Sequence, residues 1–136
     1  MPNHIAQSEF EVQFPRLILG SRDLPKKSKP LHVLLVSALL LLDPMRSYNE
    51  QELNAELQSW ILEFGGGFKV GHAALRRLLV DEGYLLRDRA GGEYRVARQG
   101  GTYTFDYSLR ELDLVVVVEQ AIEARAARKR EHTDPD

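Results

Sequence analysis

Residues 9–14, EFEVQF, alternate apolar Phe10, Val12 and Phe14 with polar neighbours, and this period of two predicts a short strand ended by Pro15. The stretch LGSRDLPKKSKP, at 19–30, is rich in turn formers and positive charge and reads as a loop or arm. The pattern then changes to helical spacing. Leu31, Leu34, Leu35, Ala38, Leu39 and Leu42 form one face, with Pro30 suited to a first turn and Asp43-Pro44 to a stop. Val33, Val36, Leu40 and Leu41 carry apolar surface round to the other faces, so more than one neighbour is expected to cover this helix, a second protomer among them.

In SYNEQELNAELQSWILEF, at 47–64, Leu53, Leu57, Trp60, Ile61 and Phe64 fall at i, i+4, i+7, i+8 and i+11, which predicts an amphipathic helix. Ser47 with Glu50 makes a capping-box pattern at its start, and Asn49 is a competing cap. Gly65-Gly66-Gly67 ends it. A third helix is expected over 71–82, with Leu75, Leu78 and Leu79 inward, Ala73, Arg77 and Val80 outward, and Arg76 and Lys69 flanking them. Gly83 suits a left-handed C-cap.

Two short basic strands then surround Ala90-Gly91-Gly92. A three-residue turn there pairs Arg87 with Arg95 and Leu86 with Val96, setting Leu86, Tyr94 and Val96 on one face and Arg87, Arg89, Glu93 and Arg95 on the other. Arginine opposite arginine is a repulsion that an anionic partner would relieve. TYTFDY, at 102–107, alternates again and predicts a third strand or an extension of the hairpin. Ser108 and Glu111 form a second capping-box pattern, which is expected to start a helix running through Leu112, Val115, Val116, Ile122 and Ala126 to about residue 130. Its four valines at 115–118 favour a strand by propensity, and the Ala/Arg/Glu-rich sequence after them favours the helix. The tail HTDPD, 132–136, is expected to be disordered.

At 136 residues, 43% hydrophobic and 28% charged, the chain suits one globular domain with an appended arm. Having no cysteine, it has no disulfide, thiolate metal site or cysteine nucleophile, and fits a reducing compartment. The N-terminus lacks a secretory pattern, and the most apolar run, 31–42, falls short of the roughly 20 residues a spanning helix needs. A cytoplasmic protein that does not engage membranes is expected. The net charge of −2 conceals segregation. Seven of the eighteen Lys and Arg residues lie between Lys69 and Arg98, giving residues 65–98 a charge of +3, while 31–64 carry −4 and 99–136 carry −3. Such a balance argues against coating nucleic acid indiscriminately but allows a local basic face.

The four histidines, His4, His32, His72 and His132, have no metal-ligand spacing, and the chain contains no Gly-x-Ser-x-Gly, phosphate-binding loop or His-Glu-x-x-His. Neither an enzyme nor a metal or cofactor site is expected. Trp60 with Ile61 and Phe64 has the spacing of ordinary core packing rather than of a ligand pocket.

Three helices followed by a basic hairpin is the order of a winged helix-turn-helix, so the expected fold is α+β: a three-helix core with a hairpin wing, flanked by an N-terminal strand or arm and a long C-terminal helix. The expected organisation is an arm at 1–24, a winged-helix domain at 25–107, a C-terminal helix at 108–131 that pairs two protomers, and the tail. The motifs LPKK (24–27), YNEQELN (48–54), LRRLLVDEGYLLRD (75–88) and GGEYRV (91–96) also resemble an uncharacterised bacterial domain family often appended to metal-sensor-type winged-helix repressors. The glycine-rich FGGGFKVGH, at 64–72, departs from that pattern.

The winged-helix reading makes 71–82 a recognition helix and 85–98 a wing. Arg76 and Arg77 are then candidate base readers, since the guanidinium fork bonds guanine or phosphate bidentately. Arg87, Arg89 and Arg95 would follow the DNA backbone or minor groove, joined by Lys69, His72 and Arg98. The expected function is double-stranded DNA binding, with transcriptional regulation by analogy, as a homodimer. The competing readings are a protein-interaction module without nucleic-acid affinity and RNA binding by shape. Arginines neutralised by neighbouring carboxylates, Arg76 and Arg77 by Asp81 or Glu82 and Arg89 by Glu93, would favour the interaction module; a continuous basic surface would favour nucleic acid.

Overall fold

A computed structural model describes residues 3–20, 23–26, 28–90 and 92–133, with side chains to Glu131. The fold is α+β. Its elements in order are β1 (His4–Ile5), α1 (Gln7–Gly20), α2 (Lys29–Leu39), β2 (Ser47–Tyr48), α3 (Glu50–Glu63), α4 (His72–Asp81), β3 (Leu85–Arg87), β4 (Tyr94–Val96), β5 (Thr104–Phe105), a 3₁₀ turn (Tyr107–Glu111) and α5 (Leu114–Thr133).

The core is built round α2. Every residue from Leu31 to Leu39 is buried, which is what an all-round apolar helix demands. Its cover comes from within the chain, since α1 and α4 pack against it. Trp60 of α3 joins them: its indole N–H donates to Ser37 Oγ at 2.9 Å, and that hydroxyl donates to the Leu34 carbonyl at 2.6 Å. Leu53, Leu57 and Trp60 of α3, Phe64 at its C-cap, and Leu75 and Leu79 of α4 complete the core, as their spacing predicts.

The strand expected over 9–14 is instead the first half of α1. Phe10 and Phe14 satisfy both a period of two and i, i+4. As helix neighbours they stack with centroids 5.2 Å apart and both are fully buried, while Val12, which a strand would bury beside them, is 55% exposed. Pro15 does not end the element but lies inside it, buried. The start of α1 is held from far away in sequence. Asp106 Oδ2 accepts from the Gln7 amide at 2.7 Å, and Glu9 Oε1 accepts from the Ala6 amide at 3.2 Å. Lys29 Nζ meets Glu9 Oε2 at 2.5 Å and ties α2 to α1. The expected loop at 19–30 is therefore shorter, with α1 reaching Gly20 and α2 starting at Lys29.

The cap of α3 is Asn49, not Ser47. Asn49 Oδ1 accepts from the Glu52 amide at 2.7 Å and Glu52 Oε1 from the Asn49 amide at 2.9 Å, a reciprocal capping box. Ser47 is taken up by β2, whose pairing with β4 makes a three-stranded antiparallel sheet in the order β2-β4-β3. The hairpin register is one residue off expectation: Leu85 pairs with Val96, Leu86 with Arg95 and Arg87 with Tyr94. A one-residue slip exchanges faces. Leu85 now shares the buried face with Val96 and Leu86 is half exposed beside Arg95. Arg87 and Arg95 do not oppose each other, so the expected repulsion is absent. Gly92 takes the positive φ of the turn, +66°, and Gly91 lies outside the described residues.

Residues 102–107 do not extend the hairpin. β5 pairs in parallel with β1, bringing His4 beside Thr104 and Ile5 beside Phe105. The chain reaches that position by passing close to the end of α4: the Thr102 amide donates to the Glu82 carbonyl at 2.8 Å, and a Cβ on Gly101 would come within 2.2 Å of the same oxygen. The Ser108 capping box does not form. A 3₁₀ turn occupies 107–111, and α5 starts at Leu114 with Asp113 Oδ1 accepting from the Val115 and Val116 amides at 3.1 and 3.3 Å. All four valines are helical. The expected disordered tail is helical in its first two residues, 132 and 133, and its remainder lies outside the described residues.

Candidate functional site

The seven basic residues of the 69–98 cluster are spread over a loop, one helix and a hairpin. Lys69 is exposed in the loop before α4, where Gly71 occupies the N-cap position. His72, in the first turn, has Nδ1 3.1 Å from Gln58 Oε1 of α3. One turn later, Arg76 is fixed. Its Nη1 donates to Asn54 Oδ1 at 2.5 Å and its Nη2 lies 3.3 Å from Glu50 Oε1, leaving the side chain 21% exposed. Arg76 thus packs α4 against α3. The carboxylate that partners it is on the preceding helix, not Asp81 or Glu82 of its own.

Arg77 points outward and is exposed. It makes no ion pair or side-chain hydrogen bond with another described residue. Across from it, Arg87 of β3 lies over the Tyr94 ring with Cζ 5.7 Å from the centroid, a cation–π contact that holds the guanidinium at the mouth of a groove. That groove, of about 270 Å³, is lined by Glu50 of α3, by Ala73, Arg76, Arg77, Val80 and Asp81 of α4, and by Arg87 and Tyr94 of the hairpin. Ala73 leaves it open. Three of the predicted arginines are therefore gathered round one concavity, which the carboxylates of Glu50 and Asp81 also line.

Arg95 is on the opposite face of the hairpin, beside Leu86, where a second shallow concavity is lined by Ser47, Arg87, Asp88, Glu93 and Arg95. Arg89 is exposed near the turn. Neither arginine has a carboxylate partner among the described residues, so Arg89 does not pair with Glu93. Arg98, beyond β4, donates to the Met45 sulfur at 3.0 Å and is drawn towards the α2–β2 loop. The predicted residues divide accordingly: Arg76, Arg77 and Arg87 come together, Lys69 and His72 lie at the α4 start, and Arg89, Arg95 and Arg98 lie on or beyond the hairpin.

Sequence reasoning missed Ser47, Glu50, Asn54 and Tyr94 at this site. Tyr94 is the floor under Arg87, Glu50 and Asn54 restrain Arg76, and Ser47 is brought in by β2. The packing of α3 on α4 brings Glu50 and Asn54 to Arg76, and the pairing of β2 with β4 brings in Ser47, whose two-residue strand carries no periodic signal.

Among the described residues, no His, Asp and Glu side chains cluster in a way that could hold a metal ion, and no helix is long and apolar enough to cross a membrane. Neither a comparison with curated proteins nor one with solved structures found a match. A family model described as "Uncharacterized protein conserved in bacteria (DUF2087)" matches residues 22–96, which run from just before α2 to the end of β4 and include α4 and the hairpin. The match covers more than half of the 136 residues, and the chain belongs to that family.

Proposed function

We propose that this protein binds double-stranded DNA as a winged helix, with α4 in the major groove and the β3–β4 hairpin as the wing. The observation that carries the reading is Arg77 and Arg87 flanking one open groove, neither held by a carboxylate among the described residues. The order helix, strand, helix, helix, hairpin from α2 to β4, with β4 between β2 and β3, supports it as the arrangement a winged helix uses. Arg77 is the base reader of choice, in place of Arg76, whose fork is occupied by Asn54 and Glu50. Arg87, Arg89, Arg95 and Lys69 would contact phosphates, positioning the protein without reading sequence. A role in transcriptional regulation rests on analogy at the level of the fold and on the resemblance to repressor-appended domains.

A second reading has its own support. Glu50 and Asp81 line the same groove and Arg76 is neutralised there, which suits a protein partner of mixed charge. Fluorescence anisotropy with labelled random duplex DNA at about 50 and 200 mM salt separates the two. Those four phosphate contacts predict roughly 150-fold weaker binding over that range. The variant Arg77→Ala/Arg87→Ala/Arg95→Ala should lose most of the affinity and about two units of salt slope, one for each phosphate contact removed, while staying folded. No binding at the lower salt, or a variant that binds equally well, would sink the DNA reading and leave the interaction module.

A further inference from the structure

We infer that α5 and the apolar groove at its start form the surface on which a second copy of this chain docks, with the two α5 helices antiparallel about a two-fold axis near Ile122. The inference is independent of DNA binding.

The first observation is how little of α5 its own chain covers. It is 20 residues long, about 30 Å, yet among its described side chains only Leu114 is buried. One side rests on α1, where Ala121, Ala124, Arg125 and Arg128 line a cleft with Val12 and Pro15. The other side carries Val115, Ile122 and the half-buried Ala126 at i, i+7 and i+11, with Val115 and Ile122 exposed at 39% and 49%. At the helix start this stripe runs into a groove of about 420 Å³ lined by Leu40, Leu41, Phe64, Leu112, Leu114 and Val115. Leu62, 78% exposed, stands one turn along α3 from Ser59 on the same rim. Of the nine exposed large apolar side chains among the described residues, Leu41, Leu62, Val115 and Ile122 thus belong to one region.

Charge identifies the occupant. From Asp113 to Glu123 the chain carries three carboxylates and no Lys or Arg; from 124 to 131 it carries Arg125, Arg128, Lys129 and Arg130 against Glu131 alone. A parallel pair would set like against like. A two-fold antiparallel pair sets each acidic half against the other copy's basic half, an isologous contact that closes on itself. With the axis at Ile122, residues 129–131 of the second copy lie opposite 113–115, over the groove. The groove's rim there is acidic, Glu63 and Asp113, which suits the net positive end of the second copy's helix.

The chain has no cysteine, so single thiols report this geometry directly. Light scattering on the full chain at tens of micromolar should give twice the chain mass, reduced to a monomer in Val115→Asp/Ile122→Asp. Both sites are exposed, so that variant should keep its circular dichroism spectrum. Under mild oxidation Ile122→Cys should cross-link as a covalent dimer. Val115→Cys should not, because an antiparallel pair separates its two copies by about 21 Å along the helix. A monomeric wild type, a dimer that survives the double aspartate variant, or efficient cross-linking at Val115 overturns the inference. The first outcome would leave the groove to a different protein, the second would put the interface elsewhere, and the third would make the helices parallel.

Discussion

The Tyr84 hydroxyl, fully buried at the end of α4, lies 2.8 Å from His32 Nδ1 on α2 and accepts from the Tyr103 amide at 3.1 Å. The Glu82 carboxylate, 3.5 Å from His32 Nε2, favours the ring proton on that nitrogen, which leaves Nδ1 to accept from the hydroxyl. One phenol thereby joins α2, the end of α4 and the segment that leads into β5.

Tyr84→Phe should therefore destabilise the fold out of proportion to the atom removed. The ring's packing survives, but the Tyr103 amide and a buried imidazole nitrogen lose their partner, a cost of about 1–3 kcal/mol. Urea unfolding measures it. A change below about 0.5 kcal/mol would mean that water or a shifted backbone satisfies both groups.

Stability should fall with acid in a window set by His32. Burial holds its imidazole below the ordinary value of 6.5, outweighing the Glu82 carboxylate, which pulls the other way. Below 6.5 the unfolded chain takes up a proton that the folded chain refuses. The stability present above 6.5 is thus lost as pH falls through the lowered value. Glu9, Glu52 and Asp106 are held below their ordinary values of 4.5, 4.5 and 3.8 chiefly by hydrogen bonds from Lys29, the Asn49 amide and the Gln7 amide, and their contributions are lost only in stronger acid. Urea midpoints measured from pH 8 to 5 should decline in the wild type and flatten in His32→Gln. Equal slopes in the two proteins would assign the decline to other groups.

Adjacent arginines should separate into a structural and a surface role. Arg76→Ala removes the Asn54 and Glu50 contacts between α4 and α3 and should cost about 1 kcal/mol, discounted for partial exposure. Arg77→Ala breaks no contact among the described residues and should change stability by no more than about 0.5 kcal/mol. Thermal melts of the two variants give the comparison; equal losses would mean that Arg77 also packs the fold, weakening its assignment as a reader.

The helices that position the candidate site were legible because their signals are local. Leu53, Leu57, Trp60 and Phe64, then Leu75 and Leu79, repeat at the spacing of a helix face, and the largely apolar 31–39 run, with only His32 and Ser37 polar, called for burial on every side. Gly83 after α4 needed no tertiary context either, since only glycine takes its φ of +82° at little cost. The cluster of arginines was visible too, but its orientation was not. Arg87 and Arg95 exchange faces on a one-residue slip, and that slip depends on which of Leu85 and Leu86 finds the core.

What the sequence determined by itself, then, was the helical core, its caps in outline and the placing of positive charge between Lys69 and Arg98. Tertiary structure decided the rest wherever local preferences were evenly matched. Phe10 and Phe14 fit either a strand or a helix, and the choice fell to Asp106, 99 residues from the Gln7 amide it caps, and to burial beside α2. Helical spacing set Arg77 outward with Arg76 flanking it, but the Asn54 and Glu50 side chains that fix Arg76 are supplied only by packing against α3. The physical reason is the same in each case: a residue's period can be read along the chain, but the partner that consumes its hydrogen bonds or covers its surface is supplied by segments that only folding brings near.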